Sequence, residues 1–220
     1  MWLNDEKVID SAIHAYRKSL LSTCPNHVVI DNLFDENRLA EVMRVLQQPD
    51  YWQTQKHTYS ALYVDSAEWQ KTKKDQRFVQ RDVWQREGAS SKTVSSNEHS
   101  SNIAKDFLLF LRGEKFMSVL SRIFNVRLTD MNVAVPEINT NFFRLGAVDF
   151  VGLHADDSPG REVCMLLYLN KNWNENAGGE LTFIGQNDQP ISIAPLYNRC
   201  VLFDPSSHGS EHWVESLNSQ

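Results

Sequence analysis

The sequence has few cysteines, no long apolar run and no excess of positive charge. Each absence removes a class of protein. Cys24, Cys164 and Cys200 are the only three thiols, odd in number and far apart, with no C-x-x-C. Such a set builds neither a disulfide framework nor a thiolate zinc site, and it fits a reducing, cytoplasmic compartment. No stretch approaches the roughly 18–20 apolar residues that cross a bilayer. The opening MWLNDEKVID is charged too early to be a secretory signal. Lys and Arg number 22 against 28 Asp and Glu, a net charge of −6. Neither nucleic acid nor an anionic membrane is therefore the expected partner. There is no internal repeat, and the one biased tract is the Ser-rich GASSKTVSSNEHSSN.

What is present suffices for a packed core. At 220 residues, 41% of them hydrophobic and six of them Trp, the chain reads as a single domain. Residues 1–126 read as helical support with a lid region. In NDEKVIDSAIHAYRKSLL, Asn4 can cap a helix whose apolar stripe is Val8, Ile9, Ala12, Ile13, Tyr16 and Leu20. HVVID (27–31) reads as a strand. Asp35 can cap a second helix with Leu39, Val42, Met43 and Leu46 on one face. Ile103, Phe107, Phe110 and Leu111, then Phe116, Val119, Leu120, Ile123 and Phe124, mark two more. Between them, 71–86 carries six basic and two acidic residues. It reads as a solvated face leading into a loop, with a substrate-touching lid as the alternative.

From residue 127 the texture changes. MNVAV, NFFRL, DFVGLH, REVCMLLYLN, ELTFI, QPISIA, RCVLFD and EHWVESL follow one another, punctuated by Gly, Pro, Asn and Asp. No helical insert is long enough for a βαβ unit. Many short strands with turn signals predict a sandwich or barrel.

One strand end holds His154-Ala155-Asp156. With 7 His and 28 acidic residues in 220, chance alone yields roughly one His-x-acid match, so the match by itself is weak. In a strand, residues i and i+2 share a face, so His154 and Asp156 can aim at one point. Two imidazoles and one carboxylate on one face suit a non-haem ferrous ion with open positions. The third ligand is a downstream His, either His208 or His212. His208 sits among turn formers in DPSSHGSE, and His212 sits in the strand-like EHWVESL. Position favours His212, whose plain alternative is an exposed strand histidine.

The pieces around these residues resemble the prolyl 4-hydroxylase-like branch of the 2-oxoglutarate/Fe(II) dioxygenases. The resemblance rests on an ordered set over roughly 139–217: His154-x-Asp156, Tyr168-Leu169-Asn170, Trp173, Gly178-Gly179-Glu180-Leu181, Pro195-Leu196-Tyr197-Asn198-Arg199, Phe203 and His212-Trp213-Val214. HVVIDNLFDENRLAEVM also looks like the strand and helix that open many such enzymes. The resemblance implies a mostly β fold with flanking α, a double-stranded β-helix (a jelly roll, cupin-like) with the N-terminal and mid-chain helices packed outside. It implies iron on His154, Asp156 and His212, with Tyr168 contacting 2-oxoglutarate. It implies O2-dependent hydroxylation of a C–H bond, with conversion of 2-oxoglutarate to succinate and CO2. The presence of Asp156 favours hydroxylation over halogenation. The expected substrate is a small molecule or a peptide; the basic 71–86 stretch hints at an acidic or anionic one. Leu166, Phe183 and Phe203 are candidate pocket walls.

Two departures from the family pattern carry expectations. Arg144-Leu145-Gly146 stands where Arg-Tyr-Gly is usual, which removes a hydroxyl. The family also places an Arg or Lys roughly nine to thirteen residues beyond the distal His to pair with the 2-oxoglutarate carboxylate. Counted from His212, that position falls beyond Gln220. The expectation is a core at 127–220 that lacks its last strand; Arg161 and Arg199 are the nearest basic residues, Arg199 in a structural salt bridge. The competing readings are a non-catalytic jelly-roll binding protein and a differently metallated enzyme, with zinc or manganese on the same ligands.

Overall fold

The computed structural model describes residues 1–86, 102–129 and 140–218. The strand expected at 131–135 and most of the Ser-rich stretch lie outside these. Five α-helices occur among the described residues: α1 (Asp10–Ser22), α2 (Glu36–Leu46), α3 (Ser66–Lys71), α4 (Ile103–Arg112) and α5 (Glu114–Phe124). The strands are β1 (His27–Asp31), β2 (Trp52–Thr58), β3 (Arg77–Trp84), β4 (Phe143–Arg144), β5 (Phe150–His154), β6 (Cys164–Tyr168), β7 (Leu181–Phe183), β8 (Ile191–Ile193), β9 (Arg199–Phe203) and β10 (His212–Val214). None of the described helices is long and apolar enough to cross a membrane.

The helices start where the capping residues place them, with one exception. Asp35 accepts from the Arg38 N–H at 2.9 Å, and Asn102 accepts from the Ala104 N–H at 3.1 Å. Each satisfies an amide that the first turn leaves open. Asn4, expected to cap the first helix, caps only a short 3-10 turn, Asp5–Lys7, and α1 begins at Asp10. The cause is tertiary. The Asn4 N–H bonds the Leu33 carbonyl and the Asp35 N–H bonds the Trp2 carbonyl, so the chain is pinned there and must turn before the helix can start. Ile9 is left exposed, off the expected apolar face.

The strands form two antiparallel sheets. The smaller has the order β1-β9-β6, and the larger β2-β3-β5-β10-β7-β8 with β4 beside β3. This is the jelly-roll arrangement of a mostly β fold with flanking helices. The middle strand β9 is buried on both faces, and period-2 alternation sorts its residues. Cys200 and Leu202 face the helices and join a core built on Phe34, Phe107 and Phe116. Val201 and Phe203 face the larger sheet and pack with Leu181 and Phe183. Strand β6 follows suit. Met165 and Leu167 pack toward the helices, while Cys164, Leu166 and Tyr168 point between the sheets.

The charged segment 71–86 departs from the expectation of a solvated face and loop. Residues 77–84 are β3, hydrogen-bonded along seven registered pairs to β2, with Val79, Val83 and Trp84 buried. Its alternation is masked in the sequence because polar Gln80 and Asp82 on one face flank a charged residue, Arg81, on the face of Val79 and Val83. Gln80 Nε2 donates to Asp149 at 3.1 Å, and Asp82 holds Arg144 at 2.8 Å. The N-terminal part of the chain is thus not only helical support. It supplies β1 to one sheet and the β2–β3 hairpin to the other.

Candidate metal centre

The site begins with the pairing of β5 and β10. His212 lies directly opposite His154 in the antiparallel register, and a bulge follows, because two residues later Val214 pairs with Val151. Directly opposed side chains share a face. The two imidazole rings therefore sit 4.2 Å apart between their centroids. Asp156 lies just past the end of β5 and turns its carboxylate back to them. Its Oδ1 is 4.0 Å from Nε2 of His154 and its Oδ2 is 3.8 Å from Nε2 of His212. All three ligand atoms lie within 4.8 Å of one another.

The main chain fixes which nitrogen faces inward. Nδ1 of His154 is 2.9 Å from the Gly152 carbonyl, and Nδ1 of His212 is 2.9 Å from the Ser210 carbonyl. A carbonyl only accepts, so each Nδ1 carries the proton and donates it. Each Nε2 is left with a free lone pair aimed at Asp156, the second-sphere pattern of metal-binding histidines. His212 is buried against the edges of Phe183 and Phe203, with centroids at 5.7 and 5.2 Å. Burial, and next the neighbouring His154, hold its pKa below the ordinary histidine value. The neutral imidazole that a cation needs is thereby favoured. The donor set of two neutral nitrogens and one carboxylate fits Fe(II).

Other side chains reach the carboxylate. Arg161 Nη1 donates to Asp156 Oδ1 at 2.9 Å, and the Cys164 thiol donates to Oδ2 at 3.4 Å. Burial, followed by the Asp156 charge, pushes that thiol's pKa far up, so Cys164 is a neutral donor and not a nucleophile. Sequence reading placed Arg161 only as a basic residue near the site strands and passed over Cys164. The available signal was the period of β6, which puts Cys164 on the same face as Tyr168.

Tyr168 ends β6 with its hydroxyl buried and without a hydrogen-bond partner. Desolvation drives its pKa well above the usual phenol value, so it stays an O–H donor. A buried, unpaired donor costs free energy unless a ligand meets it. His208 lies apart, exposed on a turn, where its carbonyl accepts from the Cys24 thiol at 3.4 Å. Arg199 pairs with Asp31 across the β1–β9 register, at 2.7 and 2.9 Å, outside the metal shell.

The remaining motif residues hold turns. Trp173 Nε1 donates to the Gly178 carbonyl at 2.8 Å, and Asn170 Nδ2 to the Pro195 carbonyl at 2.8 Å. Gly178 has φ +74°, and a Cβ there would meet the Ser216 carbonyl oxygen at 2.1 Å. Only glycine fits a left-handed turn pressed so closely on the main chain that follows β10. Asn198 is buried and clamps Phe34 from both sides, accepting from its N–H at 3.3 Å and donating to its carbonyl at 2.8 Å.

A cleft of about 380 Å³ opens beside His154, lined by Tyr59, Ser60, Ala61, Leu62 and Phe78. The Tyr59 hydroxyl donates to the Leu153 carbonyl at 3.1 Å and so fastens the segment after β2 across β5. It passes over Gly152, where a Cβ would lie 2.9 Å from that hydroxyl.

Comparisons with known proteins agree with this layout. Residues 140–220 match the sequence profile of the 2OG-Fe(II) oxygenase superfamily. A comparison with curated protein sequences finds no match. Among solved structures, a Pseudomonas putida prolyl-4-hydroxylase superposes with a TM-score of 0.60 at 13% identity, covering 94% of this chain and 93% of its own. A Burkholderia pseudomallei oxidoreductase of the 2OG-Fe(II) oxygenase family gives 0.60 at 15%, over 96% and 87%. A Trichoplax adhaerens prolyl hydroxylase, solved with a hypoxia inducible factor peptide fragment, gives 0.57 at 18%, over 97% and 90%. At these identities the superpositions establish the fold.

Proposed function

We propose that this chain is a 2OG-Fe(II) oxygenase that hydroxylates a C–H bond of a small-molecule or peptidyl substrate, a reading supported by the profile match over 140–220 and by the fold. His154, Asp156 and His212 are its iron ligands, and Tyr168 is a contact of the 2-oxoglutarate cosubstrate. The observation that carries this reading is the convergence of two imidazoles and one carboxylate, each Nδ1 tied to a main-chain carbonyl and each Nε2 turned to the same point.

When bound, Fe(II) with 2-oxoglutarate and O2 supplies the oxidising chemistry, and 2-oxoglutarate leaves as succinate and CO2. The chain's own residues supply the setting. Burial among Phe183 and Phe203 keeps His212 neutral. Arg161 and the Cys164 thiol orient the Asp156 carboxylate, one at each oxygen. Leu166, Phe183 and Phe203 exclude water between the sheets, which strengthens every polar contact there. The Tyr168 O–H waits without a partner for a ligand oxygen. The cleft beside His154 opens to solvent and is walled by aromatic and small side chains, a shape that admits a chain segment as well as a small molecule. A similar fold in the Trichoplax enzyme carries a peptide.

We place the protein's work in one domain, since the helix-side core runs from Leu3 to Leu202 through both halves of the chain. A cytoplasmic setting is supported by Cys24, Cys164 and Cys200, all free thiols. The acidic balance argues against nucleic acid as partner.

Anaerobic addition of Fe(II) and 2-oxoglutarate should produce the weak visible charge-transfer band of a chelated keto acid. His212→Ala should abolish the band and cut metal affinity about 100- to 1000-fold, and His208→Ala should leave both unchanged. A band that survives His212→Ala would reject the ligand assignment. Tight Zn(II) or Mn(II) binding without a band would favour a differently metallated protein.

A further inference from the structure

Arg81 is a cation on the buried face of β3, the face that carries Val79 and Val83. Its guanidinium sits over the Phe143 ring, with Cζ 3.6 Å from the ring centroid. Its Nε is buried and bonded to nothing, and among the described residues the side chain has no hydrogen bond or ion pair. The adjacent carboxylate does not serve it, because Asp82 is taken by Arg144 at 2.8 Å and Thr54 at 2.7 Å. Asp156 is within electrostatic reach, but Arg161 already holds it at 2.9 Å and it is turned to the histidines. Desolvation lowers the Arg81 pKa to about 10, so the group remains charged at neutral pH. A desolvated charge without a counter-ion opposes folding, and such groups persist where a ligand meets them.

We propose that Arg81 is the carboxylate-binding cation of this site and takes a carboxylate of a ligand seated at the metal centre. The assignment rests on the oxygenase reading above. The carboxylate comes either from the far end of 2-oxoglutarate or from the substrate. Phe143 covers one side of the guanidinium, and the N–H groups have no partner among the described residues, a fork that matches a planar carboxylate. The groups around it suit a single carboxylate. His57 is held toward its neutral form by burial and by Arg81 itself, so it adds no second charge for a phosphate. Tyr63, tilted against His57 with ring centroids 4.8 Å apart, offers a hydroxyl at the same corner. The position is distinct from that of Tyr168, which β6 presents from the opposite sheet.

The test uses Arg81→Met and Arg81→Lys, both checked for folding by circular dichroism. Succinate and its uncharged diamide are first titrated into the metal-free protein. Succinate should bind wild type at least about tenfold more tightly than Arg81→Met, with Arg81→Lys between them, while the diamide shows no such order. Arg81→Met should also melt above wild type, since it removes an uncompensated buried charge. An unchanged succinate affinity together with a lower melting temperature would overturn the proposal and leave Arg81 a packing residue on Phe143. The Mn(II)-loaded protein then identifies the source. Loss of 2-oxoglutarate binding in Arg81→Met with 2-oxobutyrate unaffected assigns the carboxylate to the cosubstrate. Unaffected binding of both keto acids, with succinate binding beside saturating 2-oxoglutarate lost, assigns it to the substrate. If the Mn(II) protein binds neither keto acid, the oxygenase reading fails, and the metal-free titration still decides Arg81.

Discussion

The two faces of β9 live in different chemistry. On the helix side, Cys200 and Leu202 join a large aromatic core, and the buried amide of Asn198 has both its oxygen and its nitrogen bonded to Phe34. On the sheet side, Val201 and Phe203 join a cluster of a few residues beside His212. There a tyrosine hydroxyl and a guanidinium nitrogen are buried with no partner among the described residues. Among the described residues the helix side has such atoms too, the Trp84 indole nitrogen and the Tyr197 hydroxyl, and the structure offers no account of them. One face of the strand is spent on stability. The other sets its open polar groups on the same side as His212, where a ligand can meet them at a cost to stability, as binding sites do.

If that division is right, substitutions on the two sides should separate stability from binding. The largest effect belongs to the helix side. Phe107 is fully buried and touches Trp2, Phe34 and Phe142 with ring centroids 4.9 to 6.4 Å away. Phe107→Ala should destabilise the fold by about 3–5 kcal/mol in urea unfolding. Mn(II) affinity, measured well below the melting temperature, should be unchanged; a parallel loss would show that the two sides are not separable. On the sheet side, Tyr168→Phe removes only the unpaired hydroxyl. It should leave unfolding unchanged or slightly improved, and weaken 2-oxoglutarate binding by about tenfold, worth roughly 1.4 kcal/mol. Equal binding with lower stability would mean that the hydroxyl is satisfied by solvent and faces no ligand.

The same division explains what the sequence disclosed. Where one face of an element is apolar and the other polar, period alone placed it. Helices α2, α4 and α5 and strands β5 to β10 all fell within the stretches read for them. His154 and His212 were legible because a strand end and a strand start carried them. Their encounter was not, since it depends on the β5–β10 register. Strand β3 was hidden because Gln80 and Asp82 on one face are polar and one residue of the other, Arg81, is charged. The sequence there reads as solvated although Val79 and Val83 are buried. Arg161 and Cys164 could be seen in the sequence, but their grip on Asp156 is a property of how the segment after β5 folds back. The start of α1 was misplaced because a long-range backbone pairing, Leu3 with Phe34, overrode the local cap.

The smallest effect concerns pH and falls where the β2–β3 hairpin meets the site. His57 is buried beside Tyr63, its Nε2 is 3.4 Å from the Gln55 side-chain oxygen, and it faces Arg81. Burial first and Arg81 second hold its pKa below the ordinary 6.5. As pH falls, the unfolded chain therefore takes up this proton before the folded one does. The stability contributed by the neutral ring is complete above pH 6.5 and is lost as pH falls through the lower folded value. In the metal-free protein, His57→Gln should flatten the decline in unfolding free energy below pH 6.5 without changing its value at pH 8. Arg81→Met should flatten it in part, because it removes the second cause and leaves the first. A decline that Arg81→Met leaves untouched would place the guanidinium too far from His57 to be felt. The charged, unpaired corner that sets the sheet side apart from the helix side would then be smaller than its geometry indicates.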